Sequence, residues 1–230
     1  MLPMPARLTE VGAHERGDHY HLPADAKCYF WGEYTPYENT NGLKWNFSST
    51  NQLMSNFKKG LDRRGFNDWG YKNQAIQTIA TAFSKFWKWP ELRARVALIP
   101  VPPSKARGDA TYDPRMVEML NGIAARSGGP LDIRDCLSFS GKFGASHKLT
   151  ERPSPDELYA ELSFDDAVGR PHQRPEAIFI FDDMLTTGAH HVAVTRKLAE
   201  KFAGVPVVAQ FVARRAVPNP FAEFGAIEND

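Results

Sequence analysis

The stretch AIFIFDDMLTTGAHHVAVTRKLAEKF, residues 177–202, decides the fold. Ala177–Phe181 is a near-continuous apolar run, as expected of a strand buried on both faces of a sheet. Asp182 and Asp183 stop that run, and the small turn Thr186-Thr187-Gly188 follows. A helical pattern then extends from about Gly188 to Phe202, with Val192, Thr195, Leu198, Ala199 and Phe202 as its apolar stripe. The stretch therefore reads as a buried strand ending at Phe181, a polar turn and a helix, which is the repeating unit of a parallel α/β sheet.

The same unit recurs outward from it. RVALIPVPP, residues 95–103, reads as a short buried strand closed by Pro102-Pro103. Asp113-Pro114 opens a helix with Met116, Val117, Leu120, Ile123 and Ala124 on one face, and the Ser-Gly-Gly at 127–129 breaks it. LDIRDCLSF, residues 131–139, is a weaker strand, and VPVVAQFVA, residues 205–213, is the last one. Residues 138–157 are rich in Gly, Ser and Pro and read as a long loop, a feature that inside a compact domain is often functional. Upstream, a helix over Lys72–Lys88 carries Ile76, Ile79, Ala80, Phe83 and Trp87. A shorter helix falls in TNQLMSNFKKG, residues 50–60, with Thr50 or Asn51 near its cap. The expected fold is α/β, a mostly parallel sheet flanked by helices. Residues 1–50 are set apart as an N-terminal arm and an aromatic-rich extension, and 51–230 as the main domain.

Bulk properties narrow the function. The chain has 230 residues, 42% hydrophobic and 24% charged, enough for a packed core and unlike a disordered chain. A net charge of +1 gives no global attraction to nucleic acid. Cys28 and Cys136 are isolated, which excludes a cysteine zinc finger or disulfide framework and fits a reducing cytoplasm. No apolar run approaches a membrane span, and the N-terminus lacks the apolar core of a signal peptide. His14, His19 and His21 stand in a polar arm without a Cys or acidic set, a poor metal pattern.

Ligands of open α/β sheets bind outside the carboxyl ends of the strands. A turn leading into a helix N-terminus offers free N–H groups and a positive dipole end to a phosphate. Gly188 lets the backbone approach an anion closely, and the threonine hydroxyls add donors. Two carboxylates just upstream can accept hydrogen bonds from sugar hydroxyls, directly or through a hydrated divalent cation. The pattern suits a sugar phosphate.

IFIFDDMLTTGAH resembles the phosphoribosyl pyrophosphate (PRPP) motif of type I phosphoribosyltransferases, and IPVPPSKARGDATYDP, residues 99–114, resembles their pyrophosphate loop, closest to ComF-like, competence-associated members. The resemblance covers roughly residues 95–215. It implies that Asp182 and Asp183 hold the ribose hydroxyls and, through water, Mg²⁺. Met184, Leu185, Thr186, Thr187, Gly188, Ala189 and His190 then cradle the 5-phosphate. Ser104, Lys105 and Arg107 meet the pyrophosphate, where cations stabilise the departing charge. SHKLTERPSPDEL lies where such proteins carry a flexible loop, so that Lys142, His147, Lys148 and Arg152 close over PRPP and exclude water. His190 departs from the Thr or Ser that usually ends the phosphate loop; an imidazole still donates to phosphate, with extra charge if protonated.

The implied activity is Mg²⁺-dependent transfer of ribose-5-phosphate from PRPP to a nitrogen nucleophile, with release of pyrophosphate and with Asp182, Asp183, Lys105 and Arg107 as its catalytic residues. The rival reading is a PRPP- or nucleotide-sensing module that acts through a protein or nucleic-acid partner held by the N-terminal third. A third reading, a phosphohydrolase, needs carboxylates from several segments, and only this pair is visible. Relatives of this kind often form homodimers. FKKGLDRRGF, residues 57–66, reads as a solvated helix end, and Phe66, Trp69 and Tyr71 as core.

Overall fold

Nine residues, Ala177–Leu185, form the strand at the middle of the sheet. The computed structural model describes residues 4–142, 152–170 and 173–218. In chain order its elements are β1 (Thr9–Glu10), α1 (Ala13–Arg16), β2 (Lys27–Tyr34), α2 (Ser49–Phe57), α3 (Gly70–Phe86) and α4 (Trp89–Leu92). They continue with β3 (Val96–Pro100), α5 (Arg115–Ala124), β4 (Asp132–Ile133), β5 (Leu137–Phe139), α6 (Pro155–Glu161) and β6 (Leu162–Phe164). The last are α7 (Asp166–Gly169), β7 (Ala177–Leu185), α8 (Ala189–Lys201) and β8 (Val207–Arg215).

Six strands form one sheet in the order β1-β2-β8-β7-β3-β4, parallel throughout except for the edge strand β1. The alternation of β7 divides its side chains between two cores. Ile178 and Ile180 face α8, while Phe179 and Phe181 face α3 and α5. Helices thus cover both faces of the sheet, as the continuous apolar runs require.

β3 passes through α5 to β4 on one side, and β7 passes through α8 to β8 on the other. The two connections diverge from adjacent strands, with α5 and α8 on opposite faces. The carboxyl ends of β3 and β7 are therefore the switch point of the topology, the place where ligands of open α/β sheets bind.

Several sequence expectations change. β7 does not stop at Phe181; it continues through both acids, with Asp182 opposite Phe211 and Leu185 opposite Arg214 on β8. A long partner strand supplies ladder bonds that the sequence of β7 alone does not reveal. Residues 1–50 are not separate from the sheet: β2 pairs with β8 over its whole length, and Cys28, Phe30 and Trp31 are buried in the two cores. LDIRDCLSF is two strands. The backbone N–H of Arg134 donates to Leu98 at 2.8 Å, and after it the chain leaves the sheet to form the antiparallel β5–β6 pair. The expected 138–157 loop contains the start of α6, capped by Ser154 with Glu157 returning the bond, while 143–151 lie outside the described residues. α2 is capped by Ser48, not Thr50 or Asn51; buried Asn51 instead donates to the Thr35 carbonyl at 2.7 Å and ties α2 to the end of β2. The stripe of α8 is rotated, with His191, Val194 and Leu198 buried and Ala199 exposed.

Candidate functional site

The carboxyl end of β7 is built around a buried ionic network rather than a pair of free carboxylates. Asp183 lies on the α2–α5 side of β7. It accepts from Lys58 Nζ at 3.0 Å, just beyond α2, and from Arg115 Nε at 3.2 Å and Nη2, on the first turn of α5. Arg115 Nη1 also donates to Asp113 at 2.7 Å, and Asp113 accepts from Lys72 Nζ of α3 at 2.7 Å. Lys72 has two further acceptors, the carbonyls of Phe57 and Lys59, both at 2.9 Å. Every buried charge is therefore paired and hydrogen-bonded, which such groups need to persist away from water. Three cations meet two carboxylates here, and an ionised Asp182 beside them brings the cluster to charge balance.

The two acids titrate in opposite directions. Burial pushes Asp182 up to about 7, and the negative charge of Asp183 adds to the shift. Burial disfavours the charge of Asp183 too, but Lys58 and Arg115 outweigh it and hold that carboxyl well below the usual range. Asp182 Oδ1 accepts the Asp183 N–H at 2.7 Å. The half-buried Asp182 is thus the member of the pair left to meet a ligand, and Asp183 anchors the network.

The turn after the acids is held from outside by the N-terminal segment. His19 is fully buried, and its Nδ1–H donates to the Thr186 carbonyl. The His21 N–H donates to the Thr187 carbonyl at 2.9 Å. Gly188 has φ +89°, and a Cβ there would lie 2.9 Å from the backbone nitrogen of Leu22. A left-handed backbone and the closeness of Leu22 are by themselves enough to require glycine here. The Leu185 side chain belongs to the core, as does Ala189, and Met184 is half-buried against the α3–α5 side. Thr187 Oγ1 accepts the Ala189 N–H at 3.4 Å.

His190 packs edge-on against Phe139 with ring centroids 5.8 Å apart. Burial drives it down to about 4, with Lys58 and Arg152 opposing its charge and Asp183 favouring it. It is neutral at pH 7 and brings no positive charge to an anion. Its neighbour His191 faces the core, 3.9 Å from Cys28 Sγ.

The pyrophosphate-loop residues are only partly free. Arg107 donates to the Asp135 carboxylate at 2.5 Å and to the carbonyls of Asp135 and Leu137 at 2.7 and 3.0 Å, so it fixes its loop against the β4–β5 connection. Lys105 is partly exposed, 3.5 Å from Asp109, and Ser104 is half-buried beside it. Lys142 meets Glu161 at 3.2 Å and Arg152 is exposed. His147 and Lys148 lie outside the described residues.

Sequence reading missed Lys58, Lys72, Asp113, Arg115 and His19. Lys58 lies in a segment that reads as a solvated helix end, and Asp113-Pro114 reads as a helix start, so their ionic roles have no local signature. Phe66 and Tyr71, expected in the core, are 55% and 53% exposed, and Arg63 lies 4.3 Å over the Phe66 ring. No group of three or more His, Cys, Asp or Glu suited to a metal occurs among the described residues, the N-terminal histidines included, and none of their helices is long and apolar enough to cross a membrane. No protein-family model matches the chain, and no curated protein matches its sequence. The fold is an α/β, mostly parallel six-stranded sheet flanked by helices, with the acid pair at the carboxyl edge of its middle strand.

Proposed function

We propose that this chain is a phosphoribosyltransferase of the type I, ComF-like kind, binding PRPP and transferring its ribose-5-phosphate to a nitrogen nucleophile. One observation carries the reading. The acid pair and the Thr-Thr-Gly turn end β7 beside β3, where the chain connections diverge and basic side chains from α3, α5 and the segment after α2 converge. The ribose hydroxyls go to Asp182. The 5-phosphate goes to the Thr186–His190 turn. Lys105 faces the diphosphate. In the reaction the anomeric C–O bond breaks, the diphosphate keeps the electron pair, the nitrogen lone pair forms the new bond, and its proton goes to solvent.

Mg²⁺ belongs to the substrate in this scheme, carried on the diphosphate oxygens. The protein donors alone do not suit a resident metal, because Asp183 already holds two cations. Asp182 is the carboxylate open to a metal-borne water.

A module that binds PRPP without turnover is the second reading. It draws on Arg107, whose guanidinium is engaged by Asp135 and Leu137 rather than left for a leaving group. Calorimetric titration with Mg²⁺ and PRPP separates the cases, using wild type and Asp182→Asn. Binding by wild type, lost in the variant and followed by diphosphate release with a nucleobase or amine, is the expected result. Binding without release under any nucleophile leaves the sensor. Absence of binding overturns both.

A further inference from the structure

We infer that His19 is a positioning residue of the anion site, and that the segment His19–Leu22 aims the turn at its ligand from behind. The inference rests on the phosphate-binding reading of the Thr186–His190 turn.

The peptide group is planar and trans, so its C=O and N–H point in opposite directions. The Thr186 carbonyl is taken by His19 Nδ1–H and the Thr187 carbonyl by the His21 N–H. Both carbonyls therefore point to the N-terminal segment. The N–H groups of the same two peptides, those of Thr187 and Gly188, point away from it. Neither N–H has a hydrogen-bond partner among the described residues. Gly188 is buried, where an unmet donor is destabilising. Two successive N–H groups on one side of a turn, at the start of the thirteen-residue helix α8, make a concavity that favours an anion.

His19 suits this role chemically. A carbonyl only accepts, so Nδ1 carries the proton and the ring is the neutral tautomer. Its Nε2 is buried with no partner among the described residues, so a second proton there would be a buried charge without an acceptor. Burial correspondingly lowers the affinity of the ring for that proton. Leu22 closes the contact against Gly188, where no side chain fits between them.

The test uses full-length protein titrated with ribose 5-phosphate, and with PRPP and Mg²⁺. His19→Leu keeps the bulk and removes the donor. His19→Asn restores an N–H close to the place of Nδ1. His21→Pro removes the second donor without altering the ring of His19. His19→Leu and His21→Pro are expected to weaken ribose 5-phosphate by about fivefold to tenfold, the worth of one hydrogen bond, and His19→Asn to stay within about threefold of wild type. Thermal midpoints are followed in parallel. Affinity losses that merely track lost stability across all three variants would show a structural role and overturn the inference. Wild-type affinity in His19→Leu would overturn it while leaving the proposed function standing. Failure of wild type to bind either phosphate ester removes both.

Discussion

Asp182→Asn is predicted to make the protein more stable while abolishing its ligand binding. The reason is the cost of placing a second carboxylate beside Asp183. An ordinary aspartate titrates near 3.8, whereas Asp182 is pushed up to about 7 by burial and by its neighbour. At about 1.4 kcal/mol per pKa unit, that shift corresponds to roughly 4 kcal/mol of lost stability once the group is fully ionised in both states. Asp182 keeps part of its solvent contact, and screening reduces the figure to ~2 kcal/mol. The sign comes from proton binding. The folded state holds the proton more tightly than the unfolded chain, so wild type loses stability as pH rises from about 4 to about 7 and no further above that range.

Asparagine removes the charge and keeps an oxygen that can accept the Asp183 N–H, now 2.7 Å from Asp182 Oδ1. Urea unfolding of wild type and variant at pH 4, 5.5 and 8 measures the effect. The stabilisation should be small at pH 4, grow through pH 5.5 and reach ~2 kcal/mol at pH 8. A difference independent of pH, or a destabilised variant at pH 8, would refute the account of the site as a strained pair whose electrostatic cost is retained for binding.

The neighbouring change should act in the opposite direction: Asp183→Asn leaves Lys58 and Arg115 short of a counter-charge and should lower stability by ~3–5 kcal/mol in the same urea experiment. That contribution is present at neutral pH and is lost as pH falls below the usual carboxylate range, so the two curves should converge in acid. Gly188→Ala should cost ~1–2 kcal/mol from its positive φ alone, and more from contact with Leu22, with ribose 5-phosphate affinity falling as the N-terminal segment is displaced. Affinity of wild type for Mg²⁺ and PRPP should rise with pH between 6 and 8 as Asp182 ionises, and calorimetric titrations across that range check it.

The sheet was legible because its strands are short apolar runs between strong punctuators, such as Pro102-Pro103 after β3 and the polar turn after β7. Where β7 ends was not legible, because Asp182 and Asp183 remain in the ladder only by virtue of β8 opposite them. Nor was the division at residue 50, since the alternating Cys28, Phe30 and Trp31 look like an aromatic scatter until β8 gives them two faces to fill. That the acid pair and the turn stand at a strand-to-helix junction could be read, because the pattern that marks the junction is local. Lys58, Lys72 and Arg115 could not: each reaches the network from a different helix or helix end, 41 to 125 residues from its carboxylate partner except for the Arg115–Asp113 contact.

That difference between local and assembled features bears on how the turn after β7 is held. A turn that binds anions by its backbone needs its peptide planes held, and α8 alone fixes only the peptides after Gly188. The strand β7 fixes those before Thr186. The two peptides between them are set by His19 and His21, and therefore by a segment more than 160 residues away in sequence. The network on the other side works in the same manner: Lys58 after α2 and Arg115 of α5 hold Asp183, Lys72 of α3 holds Asp113 beneath Arg115, and Asp182 is left as the adjustable charge. A single local motif thus takes its geometry from both ends of the chain. Substitutions in the N-terminal segment should therefore alter phosphate affinity as strongly as substitutions in the turn they support.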